Sequence, residues 1–240
     1  MPNIFHFRQF DILQDHAAQK VGTDSDLLGA LAPGGQRILD IGAGTGVLSL
    51  MMAQRFPDAQ VTGIEIDDDA VLDATENFAR SPFAPRLTLI HQSLQDYMQE
   101  VNHGVRPHDS PDAIICNPPY FHRSLECPTE GRTRARHTSS LPFPVLIGSA
   151  ARLLVEGGYF TVCLPTEVLE EFHSLCLVEG FSLHTAHRIK TLPHKPAKRH
   201  ILTYQKGYVH TANELTHCML DAPDVRSAWY LELMKPFLII

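Results

Sequence analysis

Asn117-Pro118-Pro119-Tyr120 is the stretch of this chain whose residue types are best suited to chemistry. Proline fixes its own φ near −65° and keeps the preceding residue out of the helical region, so the segment is a stiff, extended bracket. Neither proline has an N–H. The bracket therefore offers carbonyls without neighbouring donors, together with the Asn117 amide oxygen and the flat face of Tyr120, a combination that would suit an amine lying over an aromatic ring. Read in isolation, the same four residues are a Pro-Pro turn that ends a buried strand. What precedes them changes that reading.

Asp40-Ile41-Gly42-Ala43-Gly44-Thr45-Gly46 follows the short apolar run Arg37-Ile38-Leu39 and leads into the helical pattern Val47 to Ala53. A strand that breaks at glycines and restarts as a helix lets the backbone approach a ligand at a helix N-terminus, so this is a nucleotide-type site. The spacing is GxGxG rather than the GxGxxG of dinucleotide sites, which disfavours NAD. The next strand, Val61 to Ile66, carries Glu65 about 20 residues after the glycines, where a ribose diol would sit. Asp67-Asp68-Asp69 reads as the cap of a helix running towards Arg80.

The elements that must position these residues alternate. Leu87 to Ile90 reads as a strand, Leu94 to Val101 as a helix, and Asp112 to Cys116 as the strand that delivers the bracket at its carboxyl end. In an open parallel sheet ligands bind at that end, so the glycine loop, Glu65 and Asn117 converge on one rim. Residues 121–141 are too long and polar for a simple connector and read as a lid or a surface loop. Pro144 to Val155 reads as a helix, Tyr159 to Leu164 as a strand and Glu167 to Val178 as a helix. Strands Ser182 to Ile189 and His200 to Gln205 then flank a basic loop, Lys190 to Arg199, and the tail docks as a helix. Before the glycine loop, the alternating Phe5, Phe7, Phe10 and Ile12 suggest an edge strand or hairpin, and Thr23-Asp24 resembles a helix N-cap.

The composition, 240 residues with 44% hydrophobic content, suits one domain with appendages. The start of the chain has no signal-peptide pattern and no apolar run is long enough to span a bilayer, so the expected location is cytoplasmic. Five scattered cysteines without CxxC spacing argue against disulfides and zinc knuckles, and 14 histidines without HExxH suggest no metal. A net charge of −7 argues against an indiscriminate nucleic-acid binder. Yet residues 181–213 hold no acid and six Lys or Arg, a local concentration of positive charge in which Lys195 and Arg199 are candidate RNA contacts.

The element order, the DxGxGxG loop, the acid on the second strand and NPPY after the fourth resemble the class I S-adenosylmethionine-dependent methyltransferases. The resemblance implies an α/β, Rossmann-like, mostly parallel seven-stranded sheet with helices on both faces. It also implies S-adenosylmethionine as cofactor. NPPY is similar to the version that methylates planar amine nitrogens, in which Asn117 and the Pro118 carbonyl accept the two amine hydrogens while Tyr120 stacks on the base. More narrowly, Phe7-Arg8-Gln9-Phe10, Lys20-Val21-Gly22-Thr23-Asp24, Leu27 to Ala30, Asn117 to Phe121 and Ala135 to Thr138 resemble the tRNA(Val) adenine-N6 methyltransferase family, whose members modify the adenine beside the anticodon, position 37.

By that resemblance the cofactor contacts are Lys20, Gly22, Thr23, Asp40, Gly42, Gly44, Gly46, Glu65, Ile66, Ser93, Leu94 and Asn117. Phe121, Arg134, Arg136 and His137 face the tRNA. Ser93 stands where the family usually places an aspartate. The implied organisation is an N-terminal segment (1–36), a methyltransferase domain (37–206) with a substrate insertion (121–141), and a C-terminal helical tail (207–240). Cys116 adjoins the bracket as the cysteine nucleophile of a cytosine-C5 methyltransferase would, but strand parity turns it away from Asn117 and assigns it to the core. Two alternatives remain at this stage: a protein glutamine-N5 methyltransferase, which meets the same lone-pair problem at an amide nitrogen, and a non-catalytic nucleoside- or RNA-binding member of the fold.

Overall fold

The computed structural model describes residues 2–104, 110–118 and 141–239. In chain order the elements are β1 (Ile4–His6), β2 (Asp11–Leu13), α1 (Thr23–Leu31), β3 (Arg37–Ile41), α2 (Val47–Arg55), β4 (Gln60–Glu65), α3 (Asp68–Arg80), β5 (Leu87–His91), α4 (Leu94–Asn102) and β6 (Ala113–Cys116). They continue with α5 (Phe143–Leu153), β7 (Tyr159–Pro165), α6 (Leu169–Val178), β8 (Phe181–Lys190), β9 (Ala197–Lys206), β10 (Asn213–Cys218), β11 (Leu220–Ala222), β12 (Val225–Arg226) and α7 (Ala228–Met234).

One sheet holds eight of these strands in the order β10-β8-β9-β7-β6-β3-β4-β5. Among the described strands of this sheet, only β9 runs against its neighbours. The order reverses between β3 and β6, and that is where an open sheet leaves a crevice at its carboxyl rim. Alternation along the strands divides the interior in two. Ile38, Val61, Ala113, Ile115, Cys163 and Ile201 face α1, α2 and α7 together with Phe7 and Phe10. Leu39, Ile64, Ile114, Cys116, Phe160, Val162 and Leu202 face α4, α5 and α6. Burial on both faces is why these strands read as continuous apolar runs.

Two arginines close helices at the end opposite the rim. Arg55 donates to the carbonyls of Gly29 (2.8 Å) and Ala32 (2.6 Å) at the end of α1, and Arg86 to those of Ala53, Phe56 and Ala59 at the end of α2. Each satisfies orphan carbonyls with a cation at the negative pole of a helix. The aromatic N-terminus forms the expected hairpin, with Ile4 opposite Leu13 and His6 opposite Asp11.

The C-terminal stretch departs from the expected helical tail. Residues 213–218 are a strand that pairs in parallel with β8 and makes the sheet eight strands wide rather than seven. A short β11–β12 pair follows, and the helix spans only Ala228–Met234. The reason is that β8 would otherwise be an edge. Strand β10 covers it, His187 Nδ1 lies 3.1 Å from His217 Nε2, and the His217 ring stacks on Trp229 at 4.2 Å. The basic loop is also shorter than expected. Lys190 pairs with Ala197 and Ile189 with Arg199, so only residues 191–196 connect β8 to β9.

Candidate active site

The register builds the site. Asp40 of β3 pairs with Ile115 of β6, and Ile41 pairs with Ile64 of β4, so the glycine loop leaves the sheet between Asn117 on one side and Glu65 on the other. Gly42 and Ala43 both donate to the Ile64 carbonyl (2.9 and 3.0 Å), and Gly46 donates to that of Ala43 (2.8 Å). Gly44 takes φ of 56°, and a Cβ there would meet no protein atom within 4 Å, so its outer face is open to a ligand. Gly46, with φ of 82°, serves packing, since a Cβ would lie 2.4 Å from the Phe78 ring.

Asp40 is wholly buried. Its Oδ2 accepts from Ser49 Oγ (2.7 Å), whereas Oδ1 has no hydrogen-bond partner among the described residues. Burial, with a smaller push from Glu65, raises its carboxyl to about 7 despite the Ser49 hydrogen bonds. Burial without a partner for one oxygen disfavours the ionised form of this carboxyl. Glu65 is already engaged: its Oε1 accepts from Ile66 N (2.7 Å) and Asp67 N (2.8 Å), and its Oε2 from Gly44 N (2.8 Å). About one of its four acceptor positions is left, so a grip on both ribose hydroxyls would need the Gly44 N–H to share. The Ile66 side chain is 48% exposed, an apolar surface at the same rim.

Ser93 has a local role. It is the N-cap of α4, where its Oγ accepts from Asp96 N (3.0 Å) and donates to Asp96 Oδ2 (2.6 Å). Leu94 is 4% exposed with its side chain in the core, so what it offers the rim is its first-turn backbone. Cys116 lies in the core as parity required, and burial holds its thiol well above the usual range. Gly22, rather than Thr23, is the N-cap of α1, and Thr23 and Asp24 form its first turn. Ser25 Oγ donates to the Gly22 carbonyl (2.7 Å) and accepts from Gly22 N (3.3 Å). Lys20 Nζ donates to the carbonyl of Gln14, and Val21 N to Gln14 Oε1 (2.8 Å), which closes residues 14–21 into a loop.

Asp24 pairs with Arg199, which sits opposite Pro165 at the carboxyl end of β7. The start of α1 is thereby held at the same rim. Lys195 is exposed in the β8–β9 turn. Asn117 and Pro118 follow β6 directly, half-buried and buried. Tyr120, Phe121, Arg134, Arg136 and His137 lie outside the described residues.

Sequence reasoning missed Asp73 and Asn77, both buried on α3. Their signal was two polar residues at i and i+4 on the face an amphipathic helix normally fills with apolar side chains.

Among the described residues no group of three or more His, Cys, Asp or Glu is placed to hold a metal, and no helix is long and apolar enough to cross a membrane.

A Rossmann-like sheet with one antiparallel strand, a GxGxG loop at its switch point and an acid at the end of the next strand define a class I methyltransferase. Residues 16–171 match the methyltransferase small domain family. Among solved structures, protein Atu636 of Agrobacterium tumefaciens, described as a predicted O-methyltransferase, shares the fold with a TM-score of 0.68 at 22% identity, over 89% of this chain and 96% of that one. The Thermus thermophilus 16S rRNA N2 G1207 methyltransferase, in complex with AdoMet and guanosine, does so with a TM-score of 0.54 at 22% identity, over 85% of this chain and 50% of that one.

Curated relatives narrow the class. The tRNA1(Val) (adenine(37)-N6)-methyltransferase of Phocaeicola vulgatus is 40% identical over 99% of this chain and 98% of its own length. That of Flavobacterium psychrophilum is 36% identical over 98% of both. The chain belongs to the tRNA1(Val) (adenine(37)-N6)-methyltransferase family.

Proposed function

We infer that this protein methylates the exocyclic N6 of an adenine in tRNA with S-adenosylmethionine as donor, and that the target is position 37 of a valine tRNA. The observation that supports this reading most is the register that sets Asn117 beside the glycine loop, so that a methyl donor and an amine acceptor share one crevice.

S-adenosylmethionine supplies an electrophilic methyl group on a sulfonium centre. The residues fit it. The open faces of Gly42 and Gly44 leave room for its backbone-proximal part, and Glu65 has an acceptor position for a ribose hydroxyl. The orphaned Oδ1 of Asp40 suits an ammonium, which would bring that carboxyl back to its ionised form. Ile66 offers an apolar face to the adenine ring, and Lys20, Gly22 and Thr23 border the same rim.

The adenine amine is a poor nucleophile because its lone pair is delocalised into the ring. Asn117 Oδ1 and the Pro118 carbonyl would accept its two hydrogens and favour a pyramidal nitrogen with the lone pair directed outward. The stiffness of the Asn-Pro-Pro backbone means that little reorganisation accompanies this. Tyr120 is the stacking partner for the base, worth about 1–3 kcal/mol. An anticodon-loop adenine is already unpaired, which lowers the cost of extruding it. Arg134, Arg136, His137, Lys195 and Arg199 would meet the phosphates around it, with Phe121 at the entrance.

The test is methyl transfer to bulk tRNA from cells lacking this protein, read by nucleoside mass spectrometry. N6-methyladenosine is expected from the wild type. Removing an electrostatic partner of the reacting centre typically lowers kcat by roughly 100- to 1,000-fold, and Asn117→Ala should fall in that range. Unchanged methyl incorporation in Asn117→Ala would refute the assigned role.

A further inference from the structure

Helix α3 starts directly after Glu65-Ile66-Asp67 and grips two other parts of the molecule from its buried face. Asp73 Oδ2 accepts from His16 N (3.0 Å) and Ala17 N (2.8 Å), and its Oδ1 lies 2.8 Å from His16 Nδ1. One turn on, Asn77 Oδ1 accepts from Leu13 N (2.7 Å), while its Nδ2 donates to the Leu13 carbonyl (2.8 Å) and to the Thr45 carbonyl (2.9 Å). Asn77 is 2% exposed, so none of these bonds competes with bulk water. Thr45 belongs to the glycine loop. Leu13 ends β2 and begins the closed loop of residues 14–21 that leads to Gly22 and Thr23.

A single carboxamide thus holds the N-terminal strap and the glycine loop at a fixed spacing. Its geometry is exacting, since only a group with one acceptor and two donors in a plane satisfies all three partners. Aspartate would keep the Leu13 N–H bond but set a carboxylate against two carbonyls. Alanine would leave three buried backbone groups without partners.

We propose that Asn77 is a positioning residue for the methyl-donor site: by tying Leu13 to Thr45 it sets the distance between the strap at 14–22 and the glycine loop, and so the affinity for the donor. The proposal rests on the reading that the donor binds at the glycine loop. It assigns Asn77 no contact with the donor or the tRNA. Its loss should act on donor binding and leave the amine-activating bracket at Asn117 working.

The experiment measures S-adenosylhomocysteine binding by calorimetry, and KM for donor and tRNA with kcat, for wild type, Asn77→Ala, Asn77→Asp and Arg86→Gln. Arg86 closes α2 at the far end of the sheet, so Arg86→Gln serves as a destabilised control. In Asn77→Ala the dissociation constant and the donor KM should rise about tenfold, the equivalent of one hydrogen bond, with a larger rise in Asn77→Asp. The tRNA KM and kcat should stay within about threefold, and Arg86→Gln should lose melting temperature without losing affinity. Donor affinity within twofold of wild type in Asn77→Ala would overturn the proposal, as would an equal loss in Arg86→Gln.

Amide exchange on the wild type covers the case in which the Asn77 variants do not fold. S-adenosylhomocysteine should slow exchange at Leu13, His16 and Ala17 along with the glycine loop. Protection confined to the glycine loop would overturn the proposal. A wild type that binds no S-adenosylhomocysteine would remove the donor reading itself, and the proposal with it.

Discussion

Replacing Asp26 by asparagine should stabilise this protein, and increasingly so as pH rises. Asp26 lies in the first turns of α1 and is 6% exposed, with no hydrogen-bond partner for Oδ1 among the described residues. Burial, helped by the nearby charge of Asp24, raises its carboxyl from 3.8 to about 7. The unfolded chain therefore releases this proton at lower pH than the folded one. Between the two values ionisation favours the unfolded state, so this group's contribution to stability falls as pH rises and levels off only above about 7. At 1.36 kcal/mol per pKa unit the ionised side chain costs about 4 kcal/mol at pH 8, roughly 2–3 kcal/mol more than at pH 5. Asparagine removes the charge and leaves an amide partly unsatisfied, at about 1 kcal/mol. The net gain is about 3 kcal/mol near pH 8, or roughly 6–12 °C in melting temperature for a chain of this size.

The assay is urea unfolding of wild type and Asp26→Asn across pH 5 to 8, read as the difference between the two. The difference is needed because other groups titrate in the same window. Asp40, also raised to about 7, acts in the same direction. His187, lowered to about 4 by burial and by His217, acts in the opposite one, because a histidine buried neutral resists protonation. Both are common to the two proteins and cancel. A stability difference that does not change with pH, or a variant less stable than wild type at pH 8, would refute the reasoning.

Gly44→Ala and Gly46→Ala should separate binding from stability. Each forces a side chain into a left-handed backbone, at about 1 kcal/mol, but only Gly46→Ala also strikes Phe78. Thermal melting should therefore fall by several degrees more for Gly46→Ala, while calorimetry should show the larger relative loss of S-adenosylhomocysteine affinity in Gly44→Ala. Lys195→Ala should weaken tRNA binding at low salt and reduce the slope of log affinity against log salt by about 1. An unchanged slope would take Lys195 out of the RNA surface.

The sequence by itself determined the class of protein and most of the rim. Glycines at 42, 44 and 46, an acid at 65 and Asn-Pro-Pro at 117 are local statements about backbone conformation and hydrogen-bonding capacity, and strands buried on both faces announce themselves by continuous apolar runs. The tertiary structure decided what depends on partners far away in the chain. Residues 213–218 are too short and too polar to declare a strand, and they become one because β8 needs an edge cover. That the Leu94 side chain packs in the core and that Ser93 caps its own helix through Asp96 also depend on the folded surroundings. Asp73 and Asn77 carry no motif of their own, and their roles depend on what lies opposite them. Only the fold brings Leu13, 64 residues before Asn77, within 2.7 Å of it, and turns an ordinary asparagine into the link between the strap and the glycine loop. Backbone preferences are written residue by residue, whereas the worth of a buried polar group is fixed by what the folded chain places opposite it.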